Sequence, residues 1–208
     1  MVGGTERLLY EAPFMGMVND FSTWRIDDFM RQMEQTRQKG RILPFVRGLR
    51  LSAQLIYVVR QALVGKELTA NWGHLLDEKG AFCSPECDII VHHSKGERQK
   101  WNGSENHIMD FRFISQEDAV AVISCKSFIR AGDIDFDYCE QMRSFVKRIW
   151  LFAECCGPRS TERIVEKAVS AGYEKFWHLY TWSRTTDLNP NKQGWIEFIK
   201  EVRELDSI

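Results

Sequence analysis

Ser84-Pro85-Glu86-Cys87-Asp88-Ile89-Ile90-Val91 and Ala119-Val120-Ala121-Val122-Ile123-Ser124-Cys125-Lys126 are the two stretches that decide the fold. Each is a short apolar, β-branched run bounded by turn formers, which reads as a strand buried on both faces. Each also carries a charge for which core packing has no use. Asp88 stands at the mouth of the first run and Lys126 at the end of the second. If the two strands are neighbours, carboxylate and ammonium meet at one edge of the sheet. Taken singly, Asp88 is equally well read as a structural acid, and Lys126 as a lysine snorkelling from a strand end. Their joint placement within the order of surrounding elements favours a functional pair.

Working outward, Leu51, Leu55, Val58 or Val59 and Ala62 recur at helical spacing and predict a helix over about 46–63. A first strand follows over 71–77, then the turn Asp77-Glu78-Lys79-Gly80 with glycine at its last position. The segment 94–107 is charged and glycine-bearing and reads as an exposed loop, with a short edge strand at 111–114 after it. Asp133, Asp135 and Asp137 place acids at the start of a helix reaching about Lys147. A strand over 149–153, a helix over 160–171 closed by Gly172, a strand over 176–182 and a helix over 194–205 complete the chain. Upstream, residues 1–45 form an extension packing on a domain of 46–208, with a helix at 27–39 between Asp27-Asp28 and Gly40. The first 24 residues, rich in aromatics and methionine, are alternatively a docking segment for a partner. Strands alternating with helices imply an α/β fold, a central mixed β-sheet flanked by helices.

The 208 residues suit one domain, and 44% hydrophobic with 27% charged residues is ordinary folded material. A net charge of −1 argues against a general nucleic-acid coat protein and leaves room for a local basic cleft. No apolar run reaches the roughly 18–20 residues of a membrane span, and the start carries no signal-peptide core. Six scattered cysteines fit buried thiols in a reducing cytosol, hence a cytoplasmic protein. Cys83 and Cys87 with His92 and His93 lack the second pair at zinc-finger spacing. There is no glycine-rich phosphate loop and no Gly-x-Ser-x-Gly.

Pro85-x-x-Asp88 and Ser124-Cys125-Lys126 together resemble the PD-(D/E)xK signature of the restriction-endonuclease-like nucleases, and the likeness covers about residues 46–155. Serine stands where that signature has its second acid. In a Ser-x-Lys subset the glutamate comes from the following helix, and Glu140 lies fourteen residues after Lys126. Gln141, with Phe145 four residues on, is similar to the Gln-x-x-x-Tyr helix of recombination-type exonucleases. The first helix offers Ser52 and Gln54 in place of the family's metal-side glutamate.

The resemblance implies a restriction-endonuclease-like core and a Mg²⁺ (or Mn²⁺) site. Asp88 would anchor the ion, Glu140 would be the second acid, and the backbone carbonyl of Cys125 would complete the shell, with Glu86 in reserve. Lys126 would orient the attacking water and counter the growing negative charge, and Gln141 would position water or phosphate. A helical wheel sets Glu140 at ~150° and Gln141 at ~100° from the centre of the stripe Cys139, Met142, Phe145, Val146, Ile149. Glu140 is therefore a solvated residue unless the helix tilts. Lys95, Arg98 and Lys100 beside Trp101 could grip a nucleic-acid backbone and stack a base, or form an ordinary surface loop. Arg47, Arg50 and Arg60 on the first helix are further phosphate candidates. The expected function is a metal-dependent nuclease acting on DNA, in bacterial defence against foreign DNA. The competing reading is a catalytically degenerate nuclease fold that binds nucleic acid or a protein partner, a homodimer included.

Overall fold

The computed structural model describes residues 44–95, 97–100, 111–157, 161–182 and 188–205. Its strands are β1 (Leu68–Leu76), β2 (Cys87–His93), β3 (Glu97–Lys100), β4 (Phe111–Ser115), β5 (Ala119–Lys126), β6 (Arg148–Cys156), β7 (Lys175–Trp182) and β8 (Leu188–Pro190). Its α-helices are α1 (Pro44–Ala62), α2 (Phe136–Met142), α3 (Thr161–Ala171) and α4 (Lys192–Glu204). The strands form one mixed sheet in the order β3-β4-β1-β2-β5-β6-β7-β8. The β1/β2 and β2/β5 pairs are antiparallel, whereas β5/β6 and β6/β7 are parallel.

Alternation along the central strands explains why both faces are covered. Ile89, Val91, Ala121, Ile123, Trp150 and Phe152 point to one side, where Leu51, Leu55 and Val59 of α1 and Trp195, Phe198 and Ile199 of α4 lie on them. Ile90, Val122, Leu151 and Ala153 point to the other, beneath Cys139 and Met142 of α2 and Ile164 and Ala168 of α3. The runs that read as continuously apolar are thus central strands of a two-sided core.

Several boundaries differ from the expectation. β1 begins at Leu68, ahead of 71, and β6 extends to Cys156. The segment 97–100 is a strand, antiparallel to β4, although Glu-Arg-Gln-Lys has no apolar residue to signal it. The helix expected to reach Lys147 stops at Met142. There the Ser144 hydroxyl donates to the Gln141 carbonyl (3.2 Å), competing with the next helical N–H, before the chain turns into β6. Its start follows the acids: Asp135 caps it, accepting from the Tyr138 N–H at 3.0 Å. The helix expected at 27–39 and residues 1–43 of the extension lie outside the described residues.

Two of the first-helix arginines serve the fold. Arg50 pairs with Glu154, which is buried on β6. Arg60 donates through Nε to the Ala70 carbonyl (2.7 Å), and its guanidinium reaches Asn71 Oδ1 (2.7 Å). Asn71 in turn donates to Nε2 of the buried His92 (2.9 Å), whose Nδ1–H donates to the His93 carbonyl (2.7 Å). Both ring nitrogens are satisfied by a neutral imidazole, and burial pulls its pKa down to about 4.

Candidate active site

Antiparallel pairing sets Ile89 opposite Ile123 and Val91 opposite Ala121. The start of β2 therefore lies beside the end of β5, and Asp88 and Lys126 come within electrostatic reach of each other at one end of the sheet. Asp88 Oδ2 accepts the backbone N–H of Cys125 at 2.8 Å. That bond fixes the carboxylate against the strand that carries Lys126. Burial raises the Asp88 pKa; the Cys125 N–H and the Lys126 charge pull it partly back, and Glu86 raises it. A carboxyl held in this way costs energy to ionise, and a nearby cation relieves that cost.

The other expected residues sit less tightly. Glu86 is exposed just before β2, with Oε1 accepting from the Trp72 indole N–H at 2.7 Å. It lies near enough to Asp88 to perturb its charge. Glu140 is exposed on α2, as the wheel predicts; Gln141, which the wheel sets nearer the apolar stripe, is exposed too, and neither is among the groups that act on Asp88. Lys95 is exposed after β2. Arg98 and Lys100 lie on β3, their side chains outside the described residues, as is Trp101 altogether.

Ser124, in the position of the signature acid, is buried beneath a tyrosine. Its placement traces to the end of α3. Gly172, at φ +105°, donates to the Val169 carbonyl (3.0 Å), while the Tyr173 N–H reaches the Ala168 carbonyl (2.9 Å). This is the Schellman pair of bonds, which glycine adopts without the Cβ penalty. The turn directs Tyr173 inward, its hydroxyl beside Cys139 and Ser124.

A second tyrosine reaches the same place from α2. The Tyr138 hydroxyl is buried with no partner at hydrogen-bonding geometry, and Cys87, Asp88 and Tyr173 are its ionisable neighbours. Burial pushes the tyrosine well above its usual range and the Cys87 thiol up to about 12, so neither is a nucleophile at neutral pH. Both tyrosines escaped the sequence reading. Tyr138 is four residues before Met142 and extends the apolar stripe by one turn, which is the signal that could have found it.

The architecture now has solved counterparts. The chain is similar in fold to NucC. The P. aeruginosa NucC in its cAAA-bound form shares 14% identity over 88% of this chain and 89% of that one, with a TM-score of 0.54. The cAAA-bound E. coli NucC shares 11% over 88% of each chain, also at 0.54. Its apo form shares 12% over 88% of this chain and 93% of that one, at 0.51. At such identities the likeness to NucC shows the fold, an α/β restriction-endonuclease-like one. No family model and no curated relative matches the sequence. No described helix is long and apolar enough to cross a membrane.

The donor set can be tested against the ion that the sequence motif implies. Among the described residues no three His, Cys, Asp or Glu side chains gather as a metal cluster. Mg²⁺ asks for less, taking one or two carboxylates and keeping several waters. Asp88 has one oxygen on the Cys125 N–H and the other available, and Glu86 is the neighbouring acid. The residues present fit a sparsely held hard cation.

Proposed function

We propose that this chain is a metal-dependent nuclease that hydrolyses phosphodiester bonds in DNA, in bacterial defence against foreign DNA. The observation that carries the reading is the placement of Asp88 and Lys126, within electrostatic reach of each other, on adjacent antiparallel strands at one sheet end, in a NucC-like fold. Asp88 would hold Mg²⁺ or Mn²⁺, with Glu86 as the second acid ahead of the more distant Glu140, and with the Cys125 carbonyl beside them. The ion, when bound, supplies Lewis acidity toward the phosphate and a more acidic water. Lys126 sets a fixed positive charge where negative charge grows on the phosphoryl oxygens, without reorganising at the moment of reaction. The Cys125 N–H holds Asp88 in one orientation, and Gln141 is left to position water or phosphate from the rim.

The reading as a binding subunit rests on a different observation: Ser124 is buried under Tyr173, so the signature acid has no direct substitute on β5. One assay separates the two. Purified protein is incubated with supercoiled DNA and with RNA, in Mg²⁺, in Mn²⁺ and in chelator. Each condition is run with and without cAAA, the ligand of two of the NucC structures. The nuclease reading expects metal-dependent DNA cleavage. Retention of DNA without cleavage in every condition would leave the binding subunit.

A further inference from the structure

Beyond the C-terminal ends of β5 and β6 the chain leaves a cavity of about 480 Å³. Its walls include Phe128, Arg130 and Gly132 after β5, Gly157 after β6, and Arg163 and Lys167 of α3. These strands run parallel, and Ile129 continues their pairing through a bridge to Cys156. A crevice outside the carboxyl ends of parallel strands is where α/β sheets receive ligands.

The charged residues that line the cavity are, among the described residues, all basic. Arg163 and Lys167 stand one turn apart on α3, so both face the same space. Arg130 lies over the Phe128 ring, 5.5 Å from its centroid, a cation–π contact that keeps the guanidinium at the wall. No described carboxylate forms an ion pair with Arg163 or Lys167. The adjacent Asp133 carboxylate is engaged by the Arg130 backbone N–H at 2.8 Å. Among the described residues three cations line this cavity in a chain of net charge −1, a local concentration that packing does not require.

We propose that this pocket seats a backbone phosphate of the nucleic acid, a short step along the strand from the bond held at Asp88 and Lys126. The inference rests on the nuclease reading and adds a substrate contact to it. Arg130 is four residues from Lys126, at most ~14 Å of extended chain, so both fall within a few nucleotides of one strand. Phosphate contacts of this kind position the substrate and carry no sequence information.

The test is the salt dependence of binding of fluorescent duplex DNA in chelator, so that cleavage does not intrude. Arg130→Gln/Arg163→Gln/Lys167→Gln is compared with wild type. The expected result is an affinity loss of roughly 10- to 100-fold at physiological salt, and a log–log salt slope shallower by about 1–3. Arg163→Lys/Lys167→Arg keeps the charge and should retain the slope, which separates lost contacts from lost folding. Equal affinity and slope in a folded triple variant would overturn the proposal. So would wild type binding no nucleic acid while inorganic pyrophosphate raises its Tm and not that of the variant. Pocket-dependent binding without cleavage in Mg²⁺ or Mn²⁺, both with and without cAAA, would instead defeat the nuclease reading and leave the pocket as a phosphate seat.

Discussion

Replacing Tyr138 with phenylalanine should make the protein more stable. The hydroxyl is buried and has no partner at hydrogen-bonding geometry; the Cys87 thiol lies beside it and offers only a weak donor or acceptor. An unsatisfied buried hydroxyl costs ~1–3 kcal/mol. Phenylalanine keeps the ring and its packing on the second core, so the net gain is about 1–2 kcal/mol after a small void is allowed for. In a protein of this size that raises Tm by roughly 2–4 °C per kcal/mol. Urea unfolding of both proteins at neutral pH, in chelator and in millimolar Mg²⁺, gives the comparison. The gain should be largest in chelator and should narrow in Mg²⁺, because waters carried by an ion at Asp88 would give the hydroxyl a partner. A variant less stable than wild type by 1 kcal/mol or more would show that the hydroxyl is already hydrogen-bonded, and would refute the reasoning.

Acid sensitivity should trace in part to His92. Its folded pKa, about 4 against an ordinary 6.5, means that the unfolded chain takes up the proton first. The stability contributed by the neutral ring is complete above 6.5 and is lost as pH falls toward 4. The loss is on the order of 3 kcal/mol at ~1.4 kcal/mol per factor of ten in proton affinity. Asn71, Arg60, His93 and Asp118 surround the ring and stay in place, so His92→Gln should flatten this part of the stability–pH curve measured by urea unfolding. Ser124→Glu puts a carboxylate beneath Tyr173 and should lower stability by several kcal/mol in chelator; Mg²⁺ recovering none of it in thermal scans would mean that the ion does not reach position 124. Glu86→Gln should reduce metal-dependent cleavage more than Glu140→Gln does, and the reverse order in initial rates would return the second-acid role to α2.

Much of this was legible in the chain because its central strands are buried on both faces. Runs such as Ile89-Ile90-Val91 and Ala121-Val122-Ile123 declare themselves, and once they are placed, Asp88 and Lys126 stand out as charges that the core does not want. The wheel that set Glu140 away from the apolar stripe matches its exposure on α2, where Gln141, set nearer the stripe, is exposed as well. The polar edge was not legible. Residues 97–100 become a strand through backbone pairing to β4, which no side-chain pattern announces. The reach of Tyr138 and Tyr173 toward the site was equally hidden. One depends on where α2 docks and the other on a glycine-closed helix end, and both are tertiary facts. The basic pocket needed residues from three segments, Phe128–Gly132, Gly157 and α3, which are adjacent only once β5 and β6 pair in parallel.

On the proposed function, Asp88 and Lys126 form one phosphodiesterase centre. Its most direct test is single-turnover cleavage of labelled DNA in saturating Mn²⁺ by wild type, Asp88→Asn and Lys126→Ala, with folding checked by circular dichroism. Loss of the proposed metal anchor, or of the fixed positive charge, should each slow the chemical step by a hundredfold or more, on the order of 3 kcal/mol of transition-state stabilisation. DNA affinity should stay within a few-fold of wild type. Cleavage by both variants at the wild-type rate would contradict the account and place the chemistry elsewhere in the protein.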